Sequence, residues 1–136
     1  MKHMIEDLWR LFEFERSIAE EEAQLEGGSP DPNMQTARQW LLEHAYAPMA
    51  MRELADALDI TPVQLTRRFR AAYRITPSEF VTRLRLERAC RLLEETTHPL
   101  EYIAQQCGYE NGFYLSRVFT AKLGLPPSEH RKLHRV

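Results

Sequence analysis

Residues 76–95 read TPSEFVTRLRLERACRLLEE, and this stretch decides the fold. Thr76 is a good helix N-cap, Pro77 suits the first helical position, and Glu79 can reach back to complete a capping box. Because neither glycine nor proline occurs again before Pro99, the stretch predicts one uninterrupted helix of about five turns.

The apolar residues of this helix do not keep to one stripe. At about 100° per residue the early ones share one side and the later ones centre on nearly the opposite side. The first group is Phe80, Val81 and Leu84, and the second is Leu86, Ala89, Leu92 and Leu93. A helix that buries one face early and another late joins two cores, so we expect a small compact module on each side of it.

Length and composition limit the protein class. The 136 residues leave room for one domain or two very small ones, and a hydrophobic fraction of 43% allows a core. No apolar run approaches the length of a membrane span, and no secretory signal is visible. Cys90 and Cys107 form neither a disulfide framework nor a metal-site spacing, so we expect a reducing cytoplasm and no membrane partner.

The net charge of −2 hides an uneven distribution. Residues 1–33 carry three Lys/Arg against nine Asp/Glu, whereas residues 34–136 carry fifteen against eleven. An acidic arm therefore precedes a mildly basic body, and local basic clusters matter more than the total.

The acidic arm, residues 1–26, begins with an amphipathic pattern at Ile5, Leu8, Trp9 and Phe12. The apolar positions do not continue over the three or four heptads that would establish a coiled coil. A dimerising helix, a segment that couples to an upstream domain, and a helix that packs on its own domain or frays in solvent all remain open. Residues 27–33, GGSPDPN, are typical of a linker.

Residues 34–75 predict a first helix-turn-helix module. Asn33 is the expected cap of a helix beginning at Met34, and a short helix follows up to a tight turn at Asp59. Thr61-Pro62 then starts a third helix, rich in arginine, in the position of a recognition helix.

An internal repeat predicts a second module of the same kind at residues 97–136. Leu65-Thr66-Arg67-Arg68-Phe69 recurs as Leu115-Ser116-Arg117-Val118-Phe119, Pro77-Ser78-Glu79 as Pro127-Ser128-Glu129, and Leu54-Ala55 as Ile103-Ala104. The predicted fold is thus all-α: two helix-turn-helix, homeodomain-like modules joined by a long central helix over 76–96 and preceded by the amphipathic N-terminal helix.

The second half of the repeat resembles the AraC/XylS family of bacterial transcription regulators. The residues that carry the resemblance are Ile103-Ala104, Gly108-Tyr109, Phe113, Ser116-Arg117, Phe119, Gly124 and Pro127. It extends over roughly residues 34–135. The chain departs from the family pattern at Asp59 and Arg74, where glycine is usual, and at His130-Arg131, where Tyr-Arg is usual. These two non-glycine residues predict altered or strained turns in the first module.

The resemblance implies sequence-specific binding of double-stranded DNA, with two recognition helices in successive major grooves, and regulation of transcription. Activation is the commoner role in this family, so it also implies RNA polymerase as a partner. The alternative from another class is a protein-interaction or dimerisation module that uses helix-turn-helix scaffolds without reading DNA.

The base-reading side chains follow from the helical wheel. Leu65 and Phe69 face the core in the first recognition helix, as do Leu115 and Phe119 in the second, and the outward residues near each N-terminus meet base edges. The predicted base readers are Val63, Gln64, Thr66, Arg67, Phe113, Ser116 and Arg117. The family carries base contacts at the positions of Val63, Thr66, Arg67, Phe113 and Arg117.

Phosphate binding requires cations and helix N-termini instead of a particular motif. The predicted backbone contacts are Thr61, Arg68, Arg70, Asn111, Thr120 and Lys122. For each the alternative is a solvated surface charge or an ordinary cap. On the central helix, by contrast, Arg83, Arg85, Arg88 and Arg91 are expected to pair with acidic residues of the same helix.

Nothing in the sequence supports catalysis, a cofactor or a metal site. The chain lacks a glycine-rich phosphate loop and a nucleophile elbow. His130 and His134 are spaced i, i+4 but lack the intervening Glu of a zinc protease, and we expect them on the surface of a helix. Cys90 and Cys107 fit apolar helical patterns and are expected to be buried and inert.

Overall fold

The computed structural model describes residues 31–134, and α-helices are the only regular secondary structure over that range. In chain order they are α1 (Pro32–His44), α2 (Met51–Ala57), α3 (Pro62–Tyr73), α4 (Pro77–Glu95), α5 (Leu100–Gln106), α6 (Gly112–Leu123) and α7 (Pro127–Leu133). The predicted all-α class is confirmed. The predicted acidic helix at 1–26 and most of the predicted linker lie outside the described residues. Among the helices described, none combines the length and the apolar character that crossing a bilayer would require.

The described chain divides into two units, which we call the first and second modules. The first comprises residues 31–44 and 49–82, and the second comprises Ala45–Pro48 and 83–134. Helix α4 begins in the first module and ends in the second. Phe80 and Val81 are buried in its early part, and Ala89 and Leu93 in its late part. The change of apolar face along the central helix therefore reflects two cores, as the sequence predicts.

In the first module each helix contributes a stripe of apolar side chains at helical spacing. The buried residues are Met34, Ala37 and Leu41 of α1, Leu54 and Ala55 of α2, Leu65, Phe69 and Tyr73 of α3, and Ile75, Phe80 and Val81. The ring of Phe69 lies at the centre, 4.8 Å from that of Tyr73 and 5.7 Å from that of Phe80.

The start of α1 differs from the prediction. The helix begins at Pro32, and the backbone N–H of Asn33 donates to the Asp31 carboxylate over 3.0 Å. Asp31, not Asn33, thus supplies the capping oxygen. Proline is favoured at the first helical position because it has no N–H to leave unsatisfied.

In the second module, the segment Ala45–Pro48 is held by arginines of α4. Arg85 donates to the carbonyl oxygens of Ala45, over 2.7 Å, and of Ala47, over 3.0 Å. The guanidinium of Arg88 lies 4.2 Å from the centre of the Tyr46 ring. The prediction of intrahelical pairing is wrong for these two arginines, which bind the backbone and an aromatic ring of a distant segment instead.

The end of α4 is held by Arg131 of α7. Its guanidinium donates to the carbonyl oxygens of Leu93, Thr96 and His98 over 3.3, 3.2 and 2.7 Å. The last carbonyls of a helix have no intrahelical partner, so this arginine satisfies groups that would otherwise depend on water. Its neighbour His130 is only 3% exposed. The expectation that His130 decorates a surface helix is therefore wrong.

Both cysteines are buried and free, as predicted. Burial raises the pKa of both thiols, that of Cys107 to about 11. Because the thiolate is the reactive form, these side chains serve as small apolar core residues.

Candidate nucleic-acid interface

The first recognition helix, α3, begins with a complete capping box. The backbone N–H of Gln64 donates to the Thr61 hydroxyl over 3.1 Å, and that of Thr61 donates to the Gln64 side-chain oxygen over 2.9 Å. Pro62 occupies the first turn. Two of the N–H groups that a helix start leaves unsatisfied are thus paired, which fixes where the helix begins.

The outward face of α3 is fully exposed. Val63 is 73% exposed, and Thr66, Arg67 and Arg70 are exposed as well. Within the described chain neither Arg67 nor Arg70 has an ion pair or a hydrogen bond from its side chain. Both guanidinium groups are therefore available to a ligand, in the arrangement that the helical wheel predicts.

Arg68 lies at the margin of this face and has a partner. Its side chain is half-buried and forms an ion pair with Asp31, with Nε donating to Oδ2 over 3.2 Å. The hydrogen bond from Arg68 lowers the pKa of the Asp31 carboxyl. The structure thus uses Arg68 to connect α3 to the start of α1, and its predicted phosphate contact stays a prediction.

The second recognition helix, α6, uses different groups at its N-terminus. The backbone N–H of Tyr114 donates to the Asn111 side chain over 2.9 Å, and that of Gly112 donates to the Glu101 carboxylate over 2.9 Å. Gly112 is buried, and a Cβ there would lie 3.1 Å from Glu101 Oε2. The Glu101 contact could not be predicted from local sequence, because it joins α5 to α6 across eleven residues.

The outward face of α6 is more aromatic than that of α3. Phe113 is 81% exposed, and Arg117 and Thr120 are also exposed, whereas Ser116 is half-buried. Arg117 has no side-chain hydrogen bond or ion pair in the described part of the chain. Lys122 is exposed in the last turn.

Tyr114 is an exposed residue near the start of α6 that the helical wheel does not predict as a base reader. It is 53% exposed and directly follows Phe113 at the helix start. The signal that could have found it is its position in the repeat, since it corresponds to Gln64 of α3.

The turns that precede and follow the recognition helices need left-handed backbone in both modules. Asp59 and Arg74 have φ of 56° and 63°, and their counterparts Gly108 and Gly124 have φ of 96° and 84°. Both non-glycine residues therefore adopt the left-handed backbone that side chains disfavour, which is the geometry that the prediction of strain requires. Equivalent hydrogen bonds close the turns in the two modules, from Ile60 to Ala55 and Tyr109 to Ala104, and from Arg74 to Arg70 and Gly124 to Thr120.

Comparison with known proteins decides the family. A family model described as a helix-turn-helix domain matches residues 54–133, more than half of the chain. A putative AraC-like transcription regulator of Streptomyces lividans is 35% identical over 105 residues, which cover 77% of this chain and 34% of that protein. The chain belongs to the AraC family of helix-turn-helix regulators.

Solved AraC-type structures agree with the fold described above. The C-terminal domain of AraT, a response regulator from Geobacillus stearothermophilus, matches 79% of this chain and 89% of that chain, with a TM-score of 0.74 and 28% identity. The DNA-binding domain of AdpA, a global transcriptional factor solved in complex with a target DNA, matches 77% of this chain and 95% of that chain, with a TM-score of 0.70 and 26% identity.

The match to longer AraC-family proteins is partial. The chain spans between 26% and 40% of the length of the curated relatives compared with it. These relatives are named as regulators, not as enzymes. The shared part is the helix-turn-helix region described above.

Proposed function

We propose that this chain binds double-stranded DNA sequence-specifically and thereby regulates transcription, with α3 and α6 as its recognition helices. The observation that carries the proposal is the outward face of each of these helices. It presents exposed arginine near a well-capped N-terminus, and Arg67, Arg70 and Arg117 have no partner in the described chain. The DNA complex of the related AdpA domain supports the same partner.

In the first module we assign base reading to Arg67, Thr66 and Val63. The guanidinium fork of Arg67 matches O6 and N7 of guanine, and the hydroxyl of Thr66 can donate or accept. The exposed Val63 side chain can rest on a thymine methyl group. Gln64 would read adenine only through its amide NH₂, because its oxygen accepts from the Thr61 backbone.

Backbone contacts in the first module are assigned to Arg70 and to the start of α3 at Thr61. Arg70 is exposed, and the positive end of a helix dipole attracts phosphate. Arg68 would reach a phosphate only by giving up its ion pair with Asp31.

In the second module Arg117 and Ser116 are the polar base readers, and Phe113 supplies an apolar contact. Asn111, Thr120 and Lys122 are assigned to the backbone. With one arginine on its outward face, Arg117, where α3 has two, Arg67 and Arg70, α6 is expected to contribute less to affinity and more to positioning.

Further parts of the proposal concern the complete regulator. We place the complete regulator in the cytoplasm. We propose that it activates transcription through RNA polymerase, since activation is the commoner role in the family. Residues 1–26 are proposed to dimerise. Occupation of two successive major grooves by one chain is a further expectation, which footprinting on a long duplex tests.

One observation favours a second function, that of a protein-interaction module. Phe113 and Tyr114 form an exposed aromatic pair at the start of α6, and aromatic residues are enriched at protein interfaces. Salt distinguishes the two functions. Binding through phosphates weakens steeply as salt rises, because counterions are released. A pure interaction module would show no affinity for a duplex at low salt.

The test is a titration of the full chain with cognate and scrambled duplexes over a range of salt concentrations. We expect a linear fall of log K with log salt, and a smaller slope for Arg70→Ala, since one phosphate contact is lost. Arg91→Ala, at another exposed arginine, is the matched control and should leave the slope unchanged. A duplex affinity that is absent or independent of salt would refute DNA binding.

A further inference from the structure

Three potential metal ligands lie together in the second module. They are Glu94 in the last turn of α4, His130 in α7, and His134 directly after α7. One ligand atom from each residue lies within 4.8 Å of the others. Nε2 of His134 is 3.3 Å and Nε2 of His130 is 3.9 Å from oxygens of the Glu94 carboxylate.

His130 is buried without a hydrogen bond to its ring. Its side chain is 3% exposed, and neither of its ring nitrogens has a hydrogen bond. An edge contact with the ring of Phe119, with centroids 5.5 Å apart, could be made equally well by phenylalanine. Packing alone therefore does not explain a histidine here, since a buried unpaired polar group is destabilising. Burial also lowers the pKa of His130 to about 4.

The hydrogen bond of His134 determines which of its nitrogens faces the cluster. Nδ1 lies 2.9 Å from the carbonyl oxygen of His130. A carbonyl only accepts, so Nδ1 carries the hydrogen and donates it. In the neutral ring, the lone pair of Nε2 then faces the Glu94 carboxylate, which also only accepts. This contact needs a cation between the two groups, either a proton on Nε2 or a metal ion.

We propose that Glu94, His130 and His134 form a binding site for one divalent transition-metal ion, with zinc as the ion that the ligand set fits. Zinc takes imidazole nitrogen and carboxylate oxygen at about 2.0–2.2 Å in a tetrahedron, whose edges are then about 3.4 Å. His134 lies 3.3 Å from Oε1 of Glu94 and His130 lies 3.9 Å from Oε2. One atom from each residue lies within 4.8 Å of the others, so a small movement of the carboxylate would bring the three ligands to such spacings. Magnesium and calcium prefer oxygen ligands only, so two imidazoles disfavour them.

The surroundings of the cluster also fit a metal site. A metal-bound histidine usually donates its other N–H to a carbonyl or carboxylate. His134 does so, whereas Nδ1 of His130 has no such partner. The ion would connect the end of α4 to α7, where Arg131 already binds the carbonyls of Leu93, Thr96 and His98. A fourth coordination position would remain for water. The site would thus stabilise the second module and make its stability depend on zinc.

The test uses the full, tag-free chain after treatment with a chelator, with zinc chloride as the probe. Calorimetric titration should give one equivalent of bound zinc, and the melting temperature should rise with zinc concentration. Cobalt(II) should give the visible absorption of a tetrahedral complex. In Glu94→Gln and His134→Gln the zinc affinity should fall at least about tenfold, since even the loss of an outer partner of a ligand typically reduces affinity 10- to 100-fold.

His44→Gln is the matched control. His44 is the last residue of α1. Like His134, it has its Nδ1 close to the carbonyl oxygen four residues earlier, here 2.8 Å from that of Trp40. It does not belong to the cluster. This variant should bind zinc like the parent chain. His130→Phe removes the buried ligand and keeps the aromatic contact, and circular dichroism on all variants checks the fold.

Three results would overturn the proposal. The first is the absence of any heat or rise in melting temperature with millimolar zinc. The second is an equal loss of zinc affinity in His44→Gln and His134→Gln, and the third is no loss in either Glu94→Gln or His134→Gln. The Nε2 of His134 would then hold a proton or nothing, and the cluster would be an ordinary polar contact.

Discussion

Replacing Gly108 by alanine should destabilise the second module far more than replacing Gly124. Both glycines have positive φ, 96° and 84°. Left-handed backbone costs a residue with a side chain about 1–2 kcal/mol, and this part is common to both variants. At Gly124 a Cβ would meet nothing within 4 Å. At Gly108 it would lie 3.0 Å from the carbonyl carbon of Tyr46 and 3.1 Å from the carbonyl oxygen of Ala45.

The backbone segment beside Gly108 cannot move without weakening its hydrogen bonds. Arg85 holds the carbonyl oxygens of Ala45 and Ala47 at 2.7 and 3.0 Å, so a shift of this segment stretches two charge-assisted hydrogen bonds. Inserting one methyl group into such a site typically costs a further 1–3 kcal/mol. We therefore expect about 2–5 kcal/mol for Gly108→Ala against about 1–2 kcal/mol for Gly124→Ala.

Urea denaturation followed by circular dichroism measures both changes. The midpoint should fall in each variant, with an unchanged slope, and two to three times further in Gly108→Ala. Thermal melts should rank the variants in the same order. If the two substitutions prove equally destabilising, the backbone contact at Gly108 is not rigid and the steric part of this reasoning is wrong.

Three further predictions concern the interface and its scaffold. Arg67→Ala should lower the preference for cognate over scrambled duplex by about 1–3 kcal/mol, and by more than Arg117→Ala, in titrations at one salt concentration; a larger loss for Arg117→Ala would make α6 the principal reader. Arg74→Gly should raise the free energy of unfolding by about 1 kcal/mol relative to Arg74→Ala, because only glycine relieves the left-handed strain while both remove the side chain; equal urea midpoints would show that no strain is stored there. Deleting residues 1–26 should convert a dimer into a monomer in sedimentation experiments and leave single-site affinity nearly unchanged. A monomer both with and without these residues would exclude dimerisation through this arm.

Much of the fold could be predicted because its signals are local. Caps, prolines and apolar spacing lie within one or two turns of each other, so the start of α3 at Thr61-Pro62 and that of α4 at Thr76-Pro77 are visible in the sequence. The repeat then doubles the evidence, since Asn111 occupies the position of Thr61. The exposed faces of α3 and α6 follow from the same periodicity.

What could not be predicted depends on contacts between distant residues. Arg68 and Asp31 are 37 residues apart, and Arg85 reaches a carbonyl 40 residues away. Nothing in the local pattern distinguishes these arginines from exposed Arg67 or Arg70. The burial of His130 was missed for the same reason, because a polar residue on a short terminal helix gives no sign of the core it enters.

The two modules match at their main core positions and differ at several outward positions of their recognition helices. Leu65 and Leu115, Phe69 and Phe119, and Pro77 and Pro127 are matched pairs, and all six residues are buried. Among the outward pairs Arg67 matches Arg117, but three others are unlike. Valine at 63 corresponds to phenylalanine at 113, glutamine at 64 to tyrosine at 114, and arginine at 70 to threonine at 120. Packing tolerates little change in volume, so it preserves the repeat inside each module, whereas an exposed face is free to diverge.

If base edges are read by these faces, two helices with unlike side chains select unlike base pairs. The operator should therefore consist of two half-sites of different sequence, and a perfect direct repeat of either half-site should bind more weakly than the natural pair.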